Sequence, residues 1–161
     1  MMMQELQIFF QSVQLEQYRT ELVCCNRFSE QYGLSLSEAQ MEQLAVRHIE
    51  ALRASGRVEF GTGVLEKLVH AFCDSPYLVQ ENYADTLTEL QELFYHLKTD
   101  CMERVSDDEL VEAMQLIYNE AVHGDLTGLM DADRDTIYRI VRTGSLCSTL
   151  WEQESTGWND E

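Results

Sequence analysis

Tyr83, Leu87, Leu90, Phe94, Leu97 and Cys101 recur at spacings of three and four residues without a break, and Leu93 widens the stripe. A strand cannot present that pattern, because its side chains alternate with a period of two. A stripe about five turns long marks a helix packed by several neighbours. The same period runs through most of the chain. Leu15, Tyr18, Leu22, Cys25, Phe28 and Tyr32 share one face, and Gly33 closes that helix as a residue suited to the left-handed conformation. Ser37 with Gln40 forms a capping box that opens a helix carrying Met41, Leu44, Ala45, His48 and Leu52, closed by Gly56. Gly63 precedes Val64, Leu65, Leu68, Val69 and Phe72. Ser75-Pro76 reads as the start of the long helix, since proline suits a first helical position. Ser106 with Glu109 is a second capping box, launching Leu110, Val111, Met114, Ile117, Tyr118 and Ala121 as far as His123-Gly124. The last pattern holds Leu126, Leu129, Met130, Asp133, Ile137, Ile140 and Val141, with Asp125 or Asp131 as its cap and Gly144 at its end, and reads as one helix or as a short one plus a long one.

These signals predict an all-α fold, a compact irregular bundle of five to six helices. Two stretches alternate instead, Leu6–Phe10 and Arg57–Phe60, and they predict a short two-stranded ribbon near residues 6–10 and 57–60. With no internal repeat, no low-complexity linker and one proline, residues 1–150 read as a single helical domain. Residues 151–161 hold four acids and no base, and are expected to fray as an acidic tail.

Charge narrows the function classes. Against 29 Asp and Glu stand 11 Lys and Arg, nine of them Arg, for a net −18 at pH 7. That charge repels polyanions, so binding to nucleic-acid backbones is excluded as a general activity. It would speed encounter with a basic partner. No apolar run reaches the roughly 20 residues that cross a bilayer, and the first ten residues carry Glu5 where a leader has positive charge. The expected location is therefore the cytoplasm, with no membrane contact. Cys24, Cys25, Cys73, Cys101 and Cys147 are odd in number and lack a CxxC spacing, which fits buried free thiols in a reducing compartment.

Three strings resemble a known family: Gly56-Arg-Val-Glu-Phe-Gly-Thr-Gly63, Phe72-Cys-Asp-Ser-Pro-Tyr-Leu78 and Gln80-Glu-Asn-Tyr-Ala-Asp-Thr-Leu87. The family is an uncharacterised bacterial one of small acidic proteins, known as a domain of unknown function. The resemblance extends to Cys25-Asn26, to Tyr32–Ser37 and to Ser106–Leu110, and leaves out the first dozen residues and the acidic tail. It supports a domain and implies no reaction, ligand or partner.

The candidate site runs from Arg53 to Asp74. Gly61, Thr62 and Gly63 precede a helix whose free N–H groups could hold an anion, with Arg53 and Arg57 near in sequence. His70, Cys73 and Asp74 lie within about a turn of one another. The plainer account is a glycine turn, an arginine paired with a carboxylate, and a histidine at the edge of the core. The glycines fit neither a phosphate loop nor a dinucleotide fingerprint. Glu120 with His123 forms one ExxH element, where a di-iron bundle needs two and further glutamates. Asp131, Asp133 and Asp135 begin like a calcium loop, but Thr136 replaces its glycine and Arg142 its bidentate glutamate. No nucleophile elbow is present. No catalytic residue, metal ligand or cofactor is therefore assigned. The expectation is a non-enzymatic protein-interaction or regulatory domain, binding a protein partner or pairing as a homodimer. The alternative is a small-ligand or anion-binding module, an enzyme included, at Arg53, Arg57, Gly61, Thr62, Gly63, His70, Cys73 and Asp74.

Overall fold

The computed structural model describes residues 2–57, 63–102 and 104–146, with backbone alone at 2–4 and 6–11. Seven α-helices appear among these residues: α1 Met2–Ser29, α2 Glu38–Ser55, α3 Val64–Phe72, α4 Tyr83–Asp100, α5 Asp107–Leu116, α6 Leu126–Met130 and α7 Arg134–Thr143. A 3₁₀ turn, Glu30–Tyr32, follows α1, and a π turn, Ile117–Ala121, continues α5. The all-α expectation holds, and no strand occurs among the described residues.

The caps fall where the sequence puts them. Ser37 accepts from the Gln40 N–H at 3.2 Å while Gln40 accepts from the Ser37 N–H at 2.9 Å. Ser106 and Glu109 repeat the exchange at 3.1 and 2.9 Å. Each box satisfies two backbone groups that a helix start leaves orphaned. Gly33, Gly56 and Gly144 take φ of 77°, 64° and 70°, the left-handed conformation that ends a helix without a Cβ penalty.

Two expectations need correction. Residues 6–10 belong to α1, so no ribbon forms there, and residues 58–60 lie outside the described ones. Between Met2 and Ser29 there is no glycine or proline to stop a helix, so its local hydrogen bonds propagate through the apolar cluster. Ser75-Pro76 does not open α4, which begins at Tyr83 after a run of turns. Asn82 sets that later start: its Oδ1 accepts from the Val79 N–H at 2.9 Å and its carbonyl from the Thr86 N–H at 2.8 Å. Of the two readings of the last pattern, a short helix followed by a longer one is what forms. Asp125 caps α6 through the Thr127 N–H at 3.0 Å, and Asp133 caps α7 through the Thr136 N–H at 2.8 Å.

The packing divides the chain into two units, and the division falls within α4. The first takes the chain up to Asp74 together with Leu78–Glu92. Its core is the stripe Tyr18, Leu22 and Cys25 of α1, the buried face of α2, all five apolar positions of α3, and Tyr83, Leu87 and Leu90. His48 belongs to this core at 0% exposure. Its Nδ1 lies 3.0 Å from Gln91 Oε1, and its ring meets Tyr18 edge-on at 4.7 Å.

Two amides from the segments that carry the family resemblance fasten one loop of this unit. Asn26 Nδ2 donates to the Leu36 carbonyl at 2.9 Å and its Oδ1 accepts from the Leu36 N–H at 2.8 Å. Gln80 does the same to Ser35, donating at 2.9 Å and accepting at 2.8 Å. Two side-chain amides thus close both backbone groups of neighbouring loop residues, as a strand partner would. Ser29 adds a hydroxyl bond to the Leu34 carbonyl at 2.8 Å.

The second unit takes Ser75–Tyr77 and the chain from Leu93 onwards. Buried Lys98 donates to the Val105 carbonyl and meets Asp107 Oδ1 at 2.9 Å, fastening the turn between α4 and α5. Ser75 and Tyr77 pack on the π turn. Ser75 Oγ donates to Asn119 Oδ1 at 2.5 Å, Tyr77 sits edge-on to Tyr118 at 6.3 Å, and its hydroxyl lies 3.1 Å from His123 Nδ1. His123 has a φ of 50° and Gly124 one of 85°. A Cβ added to Gly124 would stand 2.6 Å from Tyr77 Cβ, so glycine is needed there for space as well as for φ.

Candidate functional site

Six of the eight residues singled out from sequence lie among the described ones; Gly61 and Thr62 do not. Arg53 is exposed in the last turn of α2, and Arg57 is half-buried just beyond it. Gly63 is buried and opens α3 in extended conformation. His70 is exposed, its ring 4.1 Å from Phe28 and its Nε2 3.8 Å from Glu66 Oε1. Asp74 is exposed.

Cys73 differs from its neighbours in being sealed, at 2% exposure. Burial, with a smaller push from Asp74, raises its thiol to about 11. Cys25 is also 2% exposed, and burial with Glu66 and Glu21 raises it to about 12. Tyr83 completes the group, pushed up to about 12 by burial. The Ser29 hydroxyl, which donates to the Leu34 carbonyl, opposes that rise, and the Tyr83 oxygen is buried without a hydrogen bond. A nucleophilic or metal-binding cysteine needs the thiolate, and these surroundings hold the neutral thiol. Among the described residues, no three of His, Cys, Asp and Glu converge as metal ligands would.

The open feature is elsewhere. α5 and α7 border a groove of ≈ 390 Å³, lined by Glu109, Glu112, Ala113, Gln115 and Leu116 on one side and Ile140, Val141 and Gly144 on the other. Positions 109, 112, 113 and 116 follow helical spacing, so one face of α5, with Gln115 at its edge, supplies its side of the groove. Ala113 and Ile140 are buried, Leu116 and Val141 half-buried, and both glutamates exposed. The floor is therefore apolar and the rim anionic. The Ser106 N–H, with help from Lys98, holds the Glu109 carboxyl below its usual range, so Glu109 keeps its charge into mild acid. The capping box at Ser106 was legible in the sequence; that its glutamate also borders a groove was not. That needs the partner helix α7, about 30 residues away.

The described residues thus include a sealed thiol cluster and an open groove. A family model, described as a family of unknown function (DUF6323), matches residues 21–146. The chain belongs to the DUF6323 family. The matched segment includes both capping boxes, the Asn26 and Gln80 clamps and both sides of the groove, and it leaves out residues 1–20. No curated protein and no solved structure matches the chain. DUF6323 membership carries no activity, and no described helix is long and apolar enough to cross a membrane.

Proposed function

We propose that the chain is a non-enzymatic protein-interaction or regulatory domain whose contact surface is the groove between α5 and α7. The observation that carries this is the groove itself, an apolar floor under a glutamate rim. A helical segment laid in such a groove reads it through residues at i, i+3 and i+4. Glu109 and Glu112, on a chain of −18, select a segment whose polar edge is basic, and the long-range field speeds its approach. In the same reading residues 1–150 act as one domain in the cytoplasm of a bacterium.

The test is fluorescence anisotropy with a labelled Lys- and Leu-rich amphipathic helix, beside an acidic peptide of the same apolar pattern. Saturable binding of the basic peptide alone is expected, weakened tenfold or more by Glu112→Lys. Binding that ignores Glu112→Lys, or no binding of either peptide, overturns the proposal.

A further inference from the structure

α7 gathers its arginines on one face. At about 100° per residue, Arg134, Tyr138 and Arg142 stack in one row with Arg139 beside it, while the buried Thr136, Ile137 and Ile140 centre on the opposite side. Arg134 and Arg142 are exposed and Arg139 is half-buried. This helix thus holds three of the chain's 11 Lys and Arg, against Asp135 as its one acid. Among the described residues none of the three arginines forms an ion pair, although acids outnumber bases 29 to 11. Asp133, the acid just before the helix, accepts from the Thr136 N–H at 2.8 Å. Arg139 Nη1 is buried without a hydrogen bond, which leaves a charged donor in need of an acceptor. The Tyr138 hydroxyl donates to the Cys101 carbonyl at 2.8 Å and pins this face within the second unit.

We infer that the acidic tail, residues 147–161, folds back onto this face of α7 and pairs its carboxylates with Arg134, Arg139 and Arg142. Charge selects the tail as the occupant. Beyond Arg142 the sequence holds no Lys or Arg, and Glu152, Glu154, Asp160 and Glu161 follow. The same charge turns the tail away from the groove, whose rim is Glu109 and Glu112. A free acidic partner has to approach a body of −18, whereas the tail is already attached to it. The tether is equivalent to a local concentration on the order of millimolar, so ion pairs that are weak one by one suffice together. The reach suffices as well. At 1.5 Å per residue α7 is about 15 Å long, and the extended chain from Gly144 to Glu152 spans up to about 26 Å. Trp151, next to Glu152, adds a ring on which a guanidinium stacks. The arginine face is turned away from Ile140, Val141 and Gly144, so this contact does not depend on what the groove binds.

Trp151 and Trp158 are the chain's two tryptophans, so the tryptophan fluorescence of the full chain reports on the tail alone. Acrylamide quenching of that fluorescence tests the contact. The quenching constant is expected to be at least twofold lower at low salt than at high salt, because screening separates the pairs. A synthetic peptide of residues 147–161 should show no such salt dependence. Arg134→Glu with Arg142→Glu, both at exposed positions, should bring quenching at low salt up to the high-salt value with an unchanged circular dichroism spectrum. Glu152→Lys with Glu154→Lys, outside every described helix, should do the same even if the arginine variant misfolds. Quenching of the full chain that ignores salt, or that ignores both pairs of charge reversals, overturns the inference. Protection that deepens as protein concentration rises overturns it too, in favour of the tail of a second copy.

Discussion

The sealed cluster of Cys25, Cys73 and Tyr83 and the open groove between α5 and α7 reverse what residue type suggests. The first holds thiols and a phenol, groups that perform chemistry elsewhere, yet burial drives each towards its neutral form. The second is built from glutamate, glutamine and aliphatic residues, and it is open to solvent. Residue type marks what a side chain can do; exposure and partners decide whether it does.

The largest effect expected from this contrast is alkaline. The unfolded-state values are 9.0 for the cysteines and 10.0 for the tyrosine, and all three rise in the folded protein. Above pH 9 the unfolded chain loses protons that the folded chain keeps, so stability is full below that pH and falls as pH rises. Each group contributes roughly 1.4 kcal/mol per pH unit while its unfolded form titrates and its folded form does not. Buried Cys101 and Tyr118 shift in the same direction. Urea midpoints measured from pH 8 to 11 should fall with increasing steepness, and Cys25→Ala with Cys73→Ala should flatten the curve. Parallel curves for parent and variant would contradict the buried thiols.

Side-chain truncation separates the two regions next. Phe72, fully buried beside Cys73, should lose about 3–5 kcal/mol as alanine, since the space it leaves cannot collapse completely. Val141, half-buried at the groove floor, should lose about 1 kcal/mol or less. Equal losses in urea titrations would mean that the groove is core.

The stripes and stops of the helices were readable from sequence because they are local. A capping box spans four residues and an amphipathic face repeats within a turn. The Asn26 and Gln80 clamps were not readable, since an amide that bonds a backbone 10 or 45 residues away leaves no spacing signal. Leu6–Phe10 misled because five alternating residues fit either period when the turns that follow are unseen. The candidate site at Arg53–Asp74 was drawn from residue types with known chemistry, and a sequence does not show that Cys73 is sealed while His70 faces solvent. The groove escaped notice for the opposite reason, because none of its residues is chemically unusual.

Glycine tests whether close packing or conformation governs the turns. Gly124→Ala adds left-handed strain and a contact 2.6 Å from Tyr77 Cβ, and should cost about 2–4 kcal/mol. Gly56→Ala meets nothing within 4 Å and should cost only the strain, about 1–2 kcal/mol. A Gly124→Ala variant no less stable than Gly56→Ala in the same urea titration would remove Tyr77 from the packing of the π turn.

The smallest effect distinguishes the two rim glutamates. Both are exposed and both border the groove, but only Glu109 bonds a backbone N–H, that of Ser106 at 2.9 Å. Its lowered pKa means that it stabilises the fold in the ionised form. That contribution is present above about pH 4.5, the ordinary value, and is lost as pH falls through the folded one. Glu109→Gln should therefore lower the urea midpoint slightly at pH 7 and match the parent in acid. Glu112 anchors no helix start, so Glu112→Gln should leave the midpoint at pH 7 in place while weakening a basic peptide. Glu109 then serves two functions and Glu112 one. If Glu112→Gln instead lowers stability as Glu109→Gln does, the rim carboxylates belong to the fold, and the case for an anionic edge kept for a partner fails.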